Sequence, residues 1–400
     1  MAVPSKIIMR KVYLDFAAAT YIDPVVLRRM KPFLSGVFGN PSSLHSMGRE
    51  ARVSIEKARS EVSAILEADA KEIIFTGSGT ESDNLAAFGI AGAYQDKGKH
   101  IIISKIEHPA VMEAAKKLEN RGFEITYLDV NGEGLVDLSK LKKALRKDTI
   151  LVSIIYANNE IGVIQPIGEI AGIIGEFRKN NSLNHPFFHT DACQAAGALD
   201  LNVKKLGVDL MTLNGSKIYG PKGIGCLYVS GKINLEPVIV GGGQERGLRA
   251  GTENNALIAG FAEALKLSEK MKNKESKRVG ALRDFFIQKI TKAIPCVQLN
   301  GSAIKRLPNN INISISGIEG EAMLLMLDSA GICVSTGSAC SSRSLDPSHV
   351  LLAIGMSPEL AHGSLRITLG RKTTKSDLNY VLKALPPIVE KLRKISAVKL

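Results

Sequence analysis

Five short apolar runs rich in β-branched residues recur through the first half of the chain: EIIFT at 72–76, HIIIS at 100–104, FEITYLD at 123–129, TILVSIIY at 149–156 and FFHT at 187–190. Near-continuous apolar runs of this length suit strands covered on both faces, where every side chain meets a neighbour rather than water. The intervening segments have the spacing of amphipathic helices, and a helix between two strands lets them lie parallel. An α/β fold of βαβ units around a parallel sheet is therefore expected. After Gly251 the texture changes: a charged amphipathic stretch from 256 to about 293 reads as a connecting helix, followed by the short strands NNINISI and SLRITLG and two further helices. This predicts a second, smaller α+β domain, with the large domain at 15–260 and the small one at 1–14 and 261–400.

A length of 400 residues accommodates both domains. The 52 Lys and Arg against 39 Asp and Glu leave a net charge of +13, which suits an anionic cofactor, an acidic protein partner or nucleic acid. Trp is absent and the lysine-rich stretch at 270–278 has no interleaved aromatic residue, so a base-stacking platform and stable nucleic-acid binding are not expected. The five cysteines, Cys193, Cys226, Cys296, Cys333 and Cys340, contain no CxxC pair, which argues for reduced thiols rather than a disulfide framework or a zinc site. No apolar run approaches the roughly 18 residues that span a bilayer, and no secretory leader is visible, so the expectation is a cytoplasmic protein without membrane contact.

Certain segments carry residue types with chemistry. In EIIFTGSGTESDNLAAF a strand passes through Gly77, Gly79 and Thr80 into a helix, where backbone N–H groups and the helix dipole can receive a phosphate; the same residues also read as an ordinary turn capped by Ser78 or Thr80. HTDACQ places Asp191 at the carboxyl end of a parallel strand, where such sheets bind ligands, with Gln194 about a turn later; a structural helix cap is the alternative. Lys217, in NGSKIYGPKGIG, sits among glycines that let backbone approach a ligand, between the apolar runs DLMTL and GCLYV. A lone lysine is usually a solvated charge, but a desolvated one has a lowered pKa and can serve as the amine of a Schiff base. A lysine, an aspartate for a pyridine nitrogen and a phosphate cup are what a pyridoxal-phosphate (PLP) site needs, and all three occur here in chain order. His108, in SKIEHPAV, is placed either to stack on an aromatic ring and move protons near neutral pH, or simply to start a helix beside Pro109. Cys340 lies in STGSACSSRSLDPS, whose Ser, Gly and Pro content predicts a mobile loop, with Arg343 nearby; an exposed thiol near positive charge is a nucleophile. The other four cysteines adjoin apolar strand or helix positions and are expected to be core or neutral.

Together YLDFAAAT from Tyr13, FGNPSSLH, GTESDNLA, SKIEHPAV, NNEIGVIQPI, HTDACQAAG, SKIYGPKGIG, GGGQERGLRAGTEN, STGSACSSRS and SLRITLGR share one order and spacing with a known family. Over nearly its whole length the chain resembles the NifS/IscS-type cysteine desulfurases, of the class-V aminotransferase family among fold-type I PLP enzymes. The resemblance implies a large domain with a mostly parallel seven-stranded sheet, and a smaller α+β domain bearing the mobile Cys340 loop. It implies removal of sulfur from L-cysteine, giving L-alanine and a persulfide on Cys340, and a homodimer that passes sulfur to an iron–sulfur scaffold or another acceptor, including those of tRNA thiolation. By the same resemblance Lys217 is the Schiff-base lysine, Asp191 the pyridinium partner and His108 the ring-stacking acid–base residue. Gly79, Thr80 and Ser216 hold the phosphate, with Thr252 reaching across from a second subunit, while Asn159 and Gln194 contact the ring oxygen. Asn40 and Arg366 bind the substrate carboxylate, Arg366 by its bidentate fork. No resident metal is implied, although Cys340 can transiently ligate a shared iron–sulfur cluster.

Two departures stand out. The family's SGHK or SAHK is replaced by Asn214, Gly215, Ser216 and Lys217, which removes one ring donor from the cofactor-binding cup but leaves a hydroxyl, and TGSGTES stands where TSGATES is usual. The length of the Cys340 loop matches the group that hands sulfur to separate acceptors and differs from the short-loop group resembling selenocysteine lyases. The rival readings are another PLP enzyme, such as an aminotransferase or selenocysteine lyase that needs no Cys340, and a basic scaffold or tRNA-binding protein.

Overall fold

The computed structural model describes residues 10–336 and 346–395. The chain divides into two compact units, one comprising Met1–Ala18, Glu160–Gly162 and Glu275–Leu400, the other Ala19–Asn159 and Val163–Lys274. The boundary expected near residue 260 falls inside the helix Asn255–Ala293; no proline interrupts this helix, and the units part further along it, after Lys274. The strands in chain order are β1 (Val12–Tyr13), β2 (Ile73–Thr76), β3 (His100–Ser104), β4 (Glu124–Leu128), β5 (Thr149–Ser153), β6 (Phe187–Asp191), β7 (Leu210–Asn214), β8 (Gly225–Val229), β9 (Val297–Leu299), β10 (Asn310–Ile315), β11 (Ile332–Cys333) and β12 (Ser364–Thr368).

In the larger unit seven strands form one sheet in the order β2-β8-β7-β6-β5-β3-β4. Parallel pairing joins β4, β3, β5, β6 and β7, while β8 runs antiparallel to both of its neighbours. Two reversals cancel, so β2 points the same way as β7, and its carboxyl end opens on the same edge as those of the parallel strands. Burial follows position: β3, β5, β6 and β8 are buried throughout, whereas β4, at the sheet's edge, is mostly half-exposed and carries the mixed sequence EITYL. Leu85 and Ile90 from the helix Gly79–Tyr94, and Val111 and Leu118 from the helix Pro109–Glu119, pack with Ile101, Ile103, Leu151 and Leu227 of the sheet. Burying each such side chain is worth roughly 1.5–3 kcal/mol, so this layer is a major part of what holds the sheet edge in place. Because β4 and β5 lie on opposite sides of β3, successive connections leave in opposite directions there and open a crevice at the carboxyl ends.

The smaller unit, described by itself, pairs β1 with β11 in parallel and builds an antiparallel sheet in the order β12-β10-β9. The fully buried β10 alternates Ile311, Ile313 and Ile315 into a core shared with Phe286, Ile290, Leu365, Leu378 and Leu385.

Candidate active site

The carboxyl edge of the larger sheet gathers one functional side chain or backbone turn from nearly every strand that ends there. After β2 the chain turns through Gly77 and Ser78 into the helix Gly79–Tyr94; Ser78 is extended and its hydroxyl caps the helix by accepting from Glu81 N at 3.1 Å. Gly79 is needed for close approach: a Cβ there would lie 2.8 Å from Cys193 Sγ and 3.3 Å from Asn214 Cβ. Gly225 of β8 has the same role from below, since its Cβ would meet the Ser78 carbonyl carbon at 2.4 Å. The opening turn of this helix thus rests directly on β7, β8 and the segment after β6, with its first backbone N–H groups pointing out of the helix end as an anion site.

His108 follows β3 and caps the helix Pro109–Glu119 through Nδ1, which accepts from Ala110 N at 3.1 Å. An accepting Nδ1 places the proton of the neutral ring on Nε2. Asp191 ends β6, is 5% exposed, and accepts from Cys193 N at 2.9 Å through Oδ1. One ligand atom each from Asp83, His108 and Asp191 all lie within 4.8 Å of one another. Lys217 closes a short 3₁₀ turn after β7, and Asn214 Oδ1 organises that turn by accepting from Ser216 N at 3.2 Å and Ser216 Oγ at 3.3 Å.

Electrostatically this edge holds more carboxyl groups than a buried site can carry as anions. Burial, reinforced by the charge of Asp191, pushes the Asp83 carboxyl well above the usual range, and its Oδ1 has no hydrogen-bond partner among the described residues. Glu107, fully buried, is pushed up to about 8 by burial, against the opposing effect of hydrogen bonds from Ser104 Oγ and from Ile155 N at 2.8 Å. Burial holds His189 down at about 4, so its ring is neutral and its 3.6 Å approach to Asp83 is not an ion pair. The ring is instead fixed by Ser153 Oγ at 2.8 Å and Thr212 Oγ1 at 3.0 Å. Two carboxyls pushed toward their neutral forms near Asp191 suit this edge to a cationic ring nitrogen. The buried, unpartnered Asp83 oxygen, the missing Cβ at Gly79 and an amine at Lys217 fit PLP from its ring to its phosphate.

Sequence reasoning singled out most of these positions and missed others. Gly79, His108, Asp191 and Asn214 come together at the sheet edge as just described, with Thr80 exposed in the first helical turn. Gln194, Asn159, Ser216 and Lys217 are half-buried in or beside the same edge's loops. Thr252 is exposed in the larger unit, and Asn40, also exposed, uses Oδ1 to accept from Ser42 N at 2.9 Å. Arg366 is buried on β12 of the smaller unit, where Nη2 meets Asp15 Oδ1 at 3.0 Å. Cys340 lies outside the described residues. Among the other cysteines, Cys193 and Cys226 are buried and Cys333 is half-buried, but Cys296, which adjoins β9, is not a core residue: it is exposed, with φ +56, in the turn after Pro295. Asp83, Glu107 and His189 were missed. For Asp83 a signal existed, an acid opening onto the apolar run LAAFGIAGA of the same helix.

The aminotransferase class-V family model matches residues 12–381. The chain is 54% identical to the cysteine desulfurase IscS of Dictyoglomus turgidum over 390 residues, covering 98% of this chain and 97% of the relative. It is 49% identical to the cysteine desulfurase IscS of Clostridium botulinum over 389 residues, covering 97% and 96%. Among solved structures, a NifS-like protein superposes with a TM-score of 0.89 at 35% identity, covering 96% of this chain and 100% of the other. With its carboxyl-edge site and its full-length likeness to these proteins, the chain belongs to the class-V aminotransferase family of PLP-dependent enzymes, within its cysteine desulfurases.

Proposed function

We propose that this protein is a PLP-dependent cysteine desulfurase that takes the sulfur of L-cysteine onto Cys340 and releases L-alanine. The observation that carries the reading is the meeting of Asp83, His108 and Asp191 within 4.8 Å on the sheet edge that also bears the Gly79 turn and Lys217. When bound, PLP supplies an electron sink for the amino acid held on it. The protein's own groups do the rest. Lys217 Nζ holds the cofactor at rest and, once displaced by substrate, accepts the Cα proton. Asp191 keeps a proton on the ring nitrogen, and the neutral Asp83 and Glu107 leave it the anion that does so. His108, donating from Nε2, stacks on the ring and returns protons, while Asn159 and Gln194 hold the ring oxygen. Gly79, Thr80, Asn214 and Ser216 form the phosphate cup. Asn40 and Arg366 bind the substrate carboxylate.

Cys340 as a thiolate then attacks the substrate sulfur: an S–S bond forms, the substrate's Cβ–S bond breaks with its electron pair passing to Cβ, and protonation at Cβ together with return of the Cα proton gives alanine. The balance is L-cysteine and a protein thiol in, L-alanine and a protein persulfide out. The active form is a homodimer in which Thr252 completes the partner's phosphate cup, and sulfur leaves for iron–sulfur or tRNA-thiolation acceptors in the cytoplasm. No described helix is long and apolar enough to cross a membrane.

The test combines the visible spectrum of the protein before and after L-cysteine with product analysis. Lys217→Ala is expected to abolish turnover, and Cys340→Ala to respond spectrally to L-cysteine yet release no alanine. Mass spectrometry of wild type without reductant or acceptor is expected to find a persulfide on Cys340. Alanine release at the wild-type rate by Cys340→Ala, or a persulfide mainly on another cysteine, refutes the assignment of the nucleophile.

A further inference from the structure

The turn assigned to the phosphate contains a residue that ought to repel it. Glu81 sits in the first turn of the helix Gly79–Tyr94, one residue beyond Thr80. Acidic side chains are usual there because they complement the helix dipole, but next to a bound phosphate dianion the same charge opposes the ligand. Both oxygens of Glu81 are committed: Oε2 accepts from Gly77 N at 2.9 Å, and Oε1 accepts from Arg249 Nε at 2.9 Å. The guanidinium also lies close over the turn, since a Cβ on Gly77 would be 2.7 Å from Glu81 Oε2 and 3.6 Å from Arg249 Nη2. The side chains of the pair are about one-quarter exposed, 28% for Arg249 and 22% for Glu81, so the surrounding medium does not fully screen them. Arg249 is itself set by backbone, with Ile239 bridging to it and Ala250 N donating to Ile239 O at 3.3 Å.

We propose that Arg249 and Glu81 form a charge-cancelling clasp on the cofactor's phosphate cup: Glu81 fixes the Gly77 end of the turn, and Arg249 neutralises Glu81 so that the cup accepts a dianion. Both are positioning residues, and the inference rests on the reading that Gly79 and Thr80 hold the phosphate. It separates two roles in one carboxylate, a hydrogen bond that fixes Gly77 N and an electrostatic liability that Arg249 removes.

The experiment measures binding of PLP and of pyridoxal, which lacks the phosphate, to the apoprotein by absorbance or fluorescence titration. Arg249→Met leaves Glu81 uncompensated and is expected to weaken PLP about tenfold, less at high ionic strength, with little effect on pyridoxal. Arg249→Lys keeps the charge and retains most of the affinity. In Glu81→Gln plus Arg249→Met the repelling charge is gone, so PLP affinity returns to within about threefold of wild type, a rescue that a packing role for Arg249 does not produce. An equal loss with pyridoxal, a double variant as weak as Arg249→Met, or no loss at all overturns the clasp. Wild-type protein that binds pyridoxal as tightly as PLP instead overturns the phosphate-cup reading on which the clasp depends.

Discussion

Two buried polar clusters, one in each unit, keep charge away from water in opposite ways. At the sheet edge of the larger unit Asp83 and Glu107 are pushed toward their neutral forms by burial, and His189 is held neutral as well. On β12 of the smaller unit, the buried Arg366 instead meets the carboxyl of Asp15 at 3.0 Å. A cluster that solves its burial by protonation has room for a ligand to bring in a cation. A cluster solved by an ion pair has already chosen its partner, and a ligand carboxylate entering it must share the arginine.

The sharpest way to break this contrast is Asp191→Asn. If the larger cluster exists to hold a ring proton through one carboxylate, turnover falls by about a thousandfold while the fold survives; a loss under about tenfold means that Asp83 or Glu107 can take over, and that the acids are not graded as described. A smaller effect is expected for Asp15→Asn. Removing the anion that fixes the Arg366 guanidinium is expected to raise KM for L-cysteine about tenfold with kcat nearly kept, and an unchanged KM would show that the arginine is held without it. The smallest is Glu107→Gln, read as stability. Glu107 carries its proton in the fold up to about pH 8, but in the unfolded chain only to its ordinary 4.5. The folded state therefore binds more protons between these values, so the stability this group contributes is fully present below 4.5 and lost as pH rises to about 8. The melting temperature of the Glu107→Gln apoprotein is expected to decline less over that window than that of wild type; parallel curves would mean that the carboxyl is already charged in the fold.

The sequence made some residues of this site legible and hid others for physical reasons. Asp191 follows an apolar run that every neighbouring feature marks as a strand, so its place at a strand's carboxyl end follows from local pattern alone. Lys217 lies between DLMTL and GCLYV, the two runs that became β7 and β8. His108 beside Pro109 reads as a helix start and is one, and the same geometry fixes its tautomer. The approach of Asp83, Glu107 and His189 could not be read in this way, because Asp83 is on the helix Gly79–Tyr94, Glu107 follows β3 and His189 is on β6, and only the packing of sheet and helix brings them together. Cys296 misled because an apolar strand does follow it, but the helix before it ends at Ala293 and leaves the cysteine in a turn. The assignment of Glu160–Gly162 to the smaller unit had no local signal either; Glu160 O is held by Asn310 Nδ2 at 3.0 Å and Asn312 Nδ2 at 3.1 Å, residues 150 and 152 positions away.

The antiparallel strand β8 also sets a timetable for the growing chain. The turn at Gly77–Gly79 is built from residues made early, yet the glycine on which it rests, Gly225, and the strand that pairs with β2 are made about 150 residues later. At roughly 5–20 residues per second, synthesis leaves the edge of β2 without its neighbour for about 8–30 s. Until then Ile73, Ile74 and Phe75 belong to an unpaired strand of a nascent protein, and the turn proposed to take the cofactor's phosphate has no floor. PLP is therefore a late arrival by construction: it can be captured only by a chain that has already emerged past Val229.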